Sequence, residues 1–230
     1  MYQMLLLLHI VAGTASLASG IFAMMARKSK GSHTLAGTWF YVAMYTVGAT
    51  ALIMSLLKWN PFLFSVGVFS LYLTWSGKQA IFYWRLTEQH KPKLAEKLPV
   101  LAAFIMAAIM ILVPGWQMIA GAGRMSPVSM VFGSIMLFGT IRDFTVFRKH
   151  PYFAPRNKDW LLKHIGTMGG AYISAVTAFL VINVKGVPFW LPWLLPTVVG
   201  SALISFTIRK WTIKLTKHSR HEIGQTAVTD

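Results

Sequence analysis

Apolar residues run through this chain in seven long stretches, and short polar segments separate them. The stretches are Met4 to Ala26, Thr38 to Leu57, Phe62 to Trp84, Pro99 to Gly121, Val128 to Phe147, Trp160 to Val184 and Trp190 to Ile208. Each is close to the roughly 20 residues that a helix needs to cross a ~30 Å hydrocarbon layer. Lipid offers no partner to a backbone N–H or C=O, so runs of this kind are read as helices. The pattern predicts an all-α polytopic membrane protein, a bundle of seven transmembrane helices. Turn formers fill the joints: Lys30-Gly31-Ser32, Asn60-Pro61, Arg124-Met125-Ser126-Pro127, Pro155-Arg156-Asn157 and Lys185-Gly186-Val187-Pro188. Pro114 and Gly115, inside the fourth run, predict a kink or local break. No joint is long enough for a second domain. The reading is one transmembrane domain over residues 1–211 and a basic tail over 212–230, disordered from Gly224.

Composition agrees with lipid as the solvent. Hydrophobic residues make up 55% of the chain and charged residues only 12%, about half of what a soluble domain carries. The net charge of +16 would suggest nucleic acid in a soluble protein, but its distribution points to topology instead. Arg27, Lys28 and Lys30 follow the first run; Arg85, Lys91, Lys93 and Lys97 follow the third; Arg148, Lys149, Arg156 and Lys158 follow the fifth. Arg209, Lys210, Lys214, Lys217 and Arg220 follow the seventh, whereas the intervening joints carry one each: Lys58, Arg124 and Lys185. Basic loops stay in the cytoplasm, so the N-terminus is expected outside and the tail inside, against anionic lipid headgroups, with no nucleic acid partner. Tryptophans mark the two interfaces: Trp39, Trp84, Trp160 and Trp211 on the inner side, Trp59, Trp116, Trp190 and Trp193 on the outer. The first run includes Ser16-Leu17-Ala18, which resembles a signal-peptide cleavage site. No Lys or Arg precedes it and the run continues to Ala26, so it is read as a span.

Small residues recur at four-residue spacing in the first run (Ala12, Ser16, Gly20) and the sixth (Gly166, Gly170, Ser174, Ala178). Such stripes let membrane helices approach closely, and both helices are expected to pack centrally.

Ionisable residues in a span are costly and are functional candidates by default. His33, Lys78, Arg142, Asp143 and His164 share one depth, near the cytoplasmic ends; His9 stands apart, near the outer end of the first helix. His33, Asp143 and His164 are candidate ligands for zinc or iron, because imidazole and carboxylate suit both metals. His33 and His164 alone are candidate axial ligands for haem b. A plainer alternative pairs Asp143 with Lys78 or Arg142 and leaves the histidines as interfacial caps. Asp143 and Lys78 are also the candidate coupling residues of a small-solute or ion transporter, and an assembly partner without a site is a further alternative. His90 and His150 read as solvated loop residues, and His218 and His221 as tail residues. With no cysteine there is no disulfide or thiolate chemistry. The last span has no lysine for a retinal Schiff base, and no phosphate-binding or hydrolase motif emerges, so the reading leans away from an enzyme.

Three passages carry a family resemblance: His9 to Gly20, Lys30 to Gly37, and Asp159 to Phe179. In these the chain resembles a group of uncharacterised bacterial multi-pass membrane proteins, a domain of unknown function. Many of that group have Arg directly after the loop histidine, where this chain has Thr34. The resemblance implies a bacterial inner-membrane location and no particular activity.

The topology is testable by fusion. A reporter active only in the cytoplasm should be active after His221 and inactive near Lys185; the opposite pattern reverses the orientation.

Overall fold

The computed structural model of the chain describes residues 1–27, 31–121, 126–150, 152–154 and 157–226. The predicted joints at Lys30, at Arg124-Met125 and at Pro155-Arg156 fall outside these residues. Within them the fold is all helical, with α1 (Tyr2–Met25), α2 (Ser32–Leu57), α3 (Pro61–Trp84), α4 (Leu94–Ile119), α5 (Ser126–Lys149), α6 (Lys158–Asn183) and α7 (Leu191–Thr226). Helix ends follow local chemistry. Asn60 caps α3, its side-chain oxygen accepting from Leu63 N at 3.0 Å, with Pro61 in the first helical position. Glu96 folds back to accept from Lys93 N at 2.6 Å and so starts α4. Gly186, at φ +77°, makes the left-handed turn between α6 and α7 that other residues resist.

Several boundaries depart from the apolar runs. α2 and α4 start at Ser32 and Leu94, ahead of Thr38 and Pro99, because polar first turns can be helical above the hydrocarbon. Pro114 lies inside α4, which continues unbroken to Ile119; one missing N–H is tolerated where neighbours pack against the helix. α7 continues to Thr226, so residues 212–226 prolong the last helix and Gly224 belongs to it. At 1.5 Å per residue α7 is about 54 Å long, well beyond the hydrocarbon layer.

Six of the seven helices are long and apolar enough to cross a membrane. The exception is α3, which is long enough, at about 36 Å, but too polar. The reason is its position. α3 packs against α2 and α6 and also touches α4 and α5, so protein rather than lipid surrounds it, and it carries buried Ser65, Ser70, Thr74 and Ser76. α1 pairs with α2 and also meets α6, so that α1, α2, α3 and α6 form a closed quartet. α4 and α5 form a second hairpin beside α3, and α7 lies on α6. Large apolar side chains on α1, α4 and α7, such as Leu7, Ile105, Leu112 and Phe206, are exposed outward, as a lipid solvent allows.

The predicted small-residue stripe of α1 is a buried contact line: Ala12, Ser16, Gly20 and Ala23 are its buried residues. A side chain at Gly20 would run into the rings of Tyr172 and Phe40. On α6, Ala171 and Ser174 are buried, and Gly170 meets Leu73 of α3. Hydrogen bonds between helices add to this packing: Ser70 Oγ to Ser174 Oγ at 3.1 Å joins α3 to α6, and Ser129 Oγ to Met110 O at 3.2 Å joins α5 to α4.

Two glycines on α1 separate packing from helix propensity. Gly13→Ala has open space around it and should be neutral or stabilising by up to about 1 kcal/mol. Gly20→Ala should cost about 1–3 kcal/mol through overpacking. Thermal unfolding of both variants in detergent measures the difference; equal effects would mean that α1 is not held by this contact.

Candidate functional site

The ionisable residues sort into two clusters near the ends of α2, α3, α5 and α6. The first is built on histidines. His164 lies two turns into α6, and its Nδ1 donates to the carbonyl of Gly77 on α3 at 2.8 Å. Only a protonated ring nitrogen can donate to a carbonyl, so the neutral ring leaves Nε2 unprotonated. His33, at the start of α2, does the same across the turn from α1, with Nδ1 donating to Ala23 O at 2.8 Å. His33, Lys78 and Arg85 are the charged or titratable groups that act electrostatically on His164, which brings both histidines into one neighbourhood. Met168, one turn beyond His164, lies against Gly77 with Thr167.

Lys78 is exposed on α3, and its ammonium sits over the Tyr41 ring of α2, 5.1 Å from the centroid. It is therefore not the partner expected for Asp143. Arg142 is not the partner either; it is exposed and points into a neighbouring cleft.

The second cluster is built on Asp143, which is 4% exposed. Lys163 of α6 donates to its Oδ1 at 2.7 Å, and the Tyr72 hydroxyl of α3 donates to its Oδ2 at 3.0 Å. Three helices thus meet on one carboxylate. Sequence reasoning missed Lys163, although the signal was available: it lies inside the run that begins at Trp160, one residue before His164. Beside the pair opens a cleft of about 130 Å³ lined by Arg142, Asp143, His150, Asp159, Trp160 and Lys163 among others.

Beside the second cluster, and sharing its cleft, lies an aromatic layer. Tyr83 meets Phe153 edge-on at 4.8 Å and Trp160 at a tilt at 4.7 Å, centroid to centroid. His90, expected to be solvated, belongs to this layer. It pairs backbone to backbone with Phe153, at 3.2 and 2.8 Å, and its Nε2 meets Glu96 at 3.0 Å. Glu96 also accepts from Gln79 at 2.9 Å. The loop after α3 is thereby tied to the loop after α5, and a solvated loop histidine becomes a structural one. At the other end of the bundle, Thr50 gives its proton to the Thr46 carbonyl at 2.7 Å, so His9 Nδ1 donates to Thr50 Oγ1 at 2.9 Å. That bond ties α1 to α2.

The metal set of His33, Asp143 and His164 is not assembled. Among the described residues no group of three or more His, Cys, Asp or Glu side chains is placed to hold a metal ion. Asp143 is engaged by Lys163 and Tyr72, and the Nδ1 atoms of the two histidines are spent on Ala23 O and Gly77 O. Two imidazoles fall short of the three or four protein donors that zinc takes.

Removing one member of a buried ion pair leaves the other uncompensated. Lys163→Ala should cost about 3–5 kcal/mol, whereas replacing both partners with apolar residues, Asp143→Leu with Lys163→Met, should be near neutral once Tyr72→Phe also removes the phenol that Asp143 accepts from. A double-mutant cycle on unfolding in detergent gives the coupling; additive losses would show that the pair does not act as a unit.

No family model, no curated protein and no solved structure matches this chain.

Proposed function

We propose that the chain is a bacterial inner-membrane protein of seven spans, N-terminus outside and basic tail inside, that holds a b-type haem through His33 and His164. The observation that carries this reading is the shared anchoring of the two rings. Each Nδ1–H is spent on a backbone carbonyl at 2.8 Å, which fixes the tautomer and orients the ring, as outer-shell hydrogen bonds do for ligating histidines. Each ring is left with Nε2 as its donor atom, and the described residues supply no hydrogen-bond partner to either. His33 is near enough to act electrostatically on His164, which supports a common neighbourhood. The donor set suits haem iron, which takes two axial ligands and brings its other four, better than it suits a zinc ion.

The surroundings fit as well. Lys78 and Arg85 act electrostatically on His164 and would balance the negative charge of the group. Met168, whose flexible thioether occupies the space over Gly77, can repack at low cost. His33 joins α2 to the end of α1, and His164 joins α6 to α3, so the ligands come from the closed quartet of helices. The group, when bound, would supply one-electron chemistry; the protein would supply ligands and charge balance. A second reading, coupled transport of a small solute, is favoured by the Asp143 cluster, with Lys163 in the role first expected for Lys78.

Purified protein should show a Soret band and about one iron per chain, the ratio of a single bis-imidazole site. His33→Ala and His164→Ala should each abolish the band, and His9→Ala should leave it intact. Wild-type protein without a Soret band after expression with ample haem would overturn the reading and leave transport ahead.

A further inference from the structure

The Asp143–Lys163 pair has a feature that an interhelical staple does not need: it forms the floor of an open cleft. The pair joins α5 to α6 inside the bundle, yet Arg142, His150, Asn157 and Asp159 line the walls above it. A space of about 130 Å³ with that many polar groups is roomy enough for several waters, since one water needs about 10–15 Å³ by the same measure. Apolar residues of similar volume would hold the helices as well as a buried ion pair does, so stability alone does not explain why charges stand here.

Lys163 also has a second acceptor within reach. Asp159 precedes it by four residues on α6, and residues four apart share a helix face. Both line the cleft. The ammonium therefore has two carboxylates to choose from, buried Asp143 below and exposed Asp159 above. On the far side of Asp143 the polar chain continues into α3. Tyr72 donates to Oδ2, and beyond it stands Ser76, wholly buried, with no hydrogen-bond partner for its hydroxyl among the described residues. Ser76 faces the Tyr72 hydroxyl, and the next carbonyl, Gly77 O, accepts a hydrogen bond from His164 Nδ1.

We propose that the cleft is a hydrated vestibule on the side of the basic loops and that Asp143 is a proton-binding site at its floor. A proton delivered by vestibule water adds to Oδ1 of Asp143. The Lys163–Asp143 ion pair breaks, and the Lys163 ammonium moves one turn along α6 to Asp159. The reverse sequence returns the proton to the vestibule. The cleft as a whole, Asp159 included, gains one positive charge in the first direction and loses it in the second, while the floor passes between a neutral ion pair and a neutral carboxylic acid. The groups that face Asp143 are Lys163 and Asp159 from α6, Tyr72 and Tyr83 from α3, and Arg142 and His150 from α5 and its end. This inference stands whether or not the histidines hold a cofactor.

The chain has no cysteine, so single-cysteine variants of the full protein report on the vestibule without background. Val146 lines the cleft and is half-buried, while Ala154 lies exposed on its rim. Val146→Cys and Ala154→Cys, in sealed vesicles of both orientations, would be treated with a membrane-impermeant thiol reagent. Labelling from the side of the C-terminal tail, and not from the other, is expected for both. Acidification slows any thiol by removing thiolate, so the measured quantity is the ratio of the two rates. That ratio should rise about tenfold on acidification as the pair shifts from closed to open. In the Asp143→Asn background it should not change with pH. If Asp143→Asn fails to fold, Asp159→Asn replaces it; this variant keeps the buried pair and should blunt the rise by removing the second acceptor. Infrared spectra should show a protonated carboxyl band on acidification that Asp143→Asn lacks. A flat ratio in the wild type, or no carboxyl band assignable to Asp143, would reduce the pair to a staple and overturn the proposal.

Discussion

Helices in lipid gain little by hiding apolar side chains from one another, because the acyl chains are as apolar as leucine. Close packing and polar contacts between helices have to hold such a bundle, and in this protein both converge on α3. Its face toward α6 carries the Ser70–Ser174 bond and the Gly77 carbonyl that binds His164; toward α5 it sends the Tyr72 hydroxyl to Asp143. Polar atoms that would be costly against lipid are satisfied here because protein surrounds them. The same enclosure explains why α3 is too polar to resemble a membrane span while being the helix that the others pack around.

The two ionisable clusters follow from that arrangement. α3 lies between α6 and α5, and each of its neighbours brings a group that α3 orients: His164 through a backbone carbonyl, Asp143 through a phenol. The clusters are thus separate in chemistry and joined by one helix. The histidine cluster is anchored by backbone carbonyls and flanked by cations, which suits a bound group that carries negative charge. The aspartate cluster is a neutral pair on the floor of a polar cleft, which suits exchange with water. The aromatic layer of Tyr83, Phe153 and Trp160 lies beside this cluster, and the His90–Glu96 contact pins its loop in place.

The contrast between α1 and α7 shows how differently lipid-facing helices are held. α1 has a continuous line of small residues and sinks it against α2 and α6, where the rings of Tyr172 and Phe40 meet Gly20. α7 has no such line: Gly200 meets Ile173, while Val198, Leu203 and Phe206 face outward. It rests chiefly on α6, with Trp193 at its start set edge-on against Phe62 of α3 and Phe132 of α5, and continues past the hydrocarbon layer as a basic helix.

Much of this was legible in the chain itself. Runs of apolar residues determine helices in lipid, because no other backbone geometry satisfies its own hydrogen bonds there; the seven helices and the turns at Asn60 and Gly186 follow directly. The stripe of Ala12, Ser16 and Gly20 marks a packed face for the same kind of reason, since only small side chains permit close approach. Helix ends were less legible: α2, α4 and α7 extend into polar segments, where hydropathy stops reporting but the backbone remains helical. Partners were not legible at all. Asp143 has Arg142 beside it in sequence and Lys78 at a similar depth, yet it binds Lys163, because the rotation of α5 and α6 about their axes decides which side chains meet. His90 reads as a loop residue until the loop after α5 comes to lie beside it. Side-chain type and depth are properties of one helix and can be read from sequence. Which groups face each other is a property of two or more helices, and the tertiary structure alone decided it.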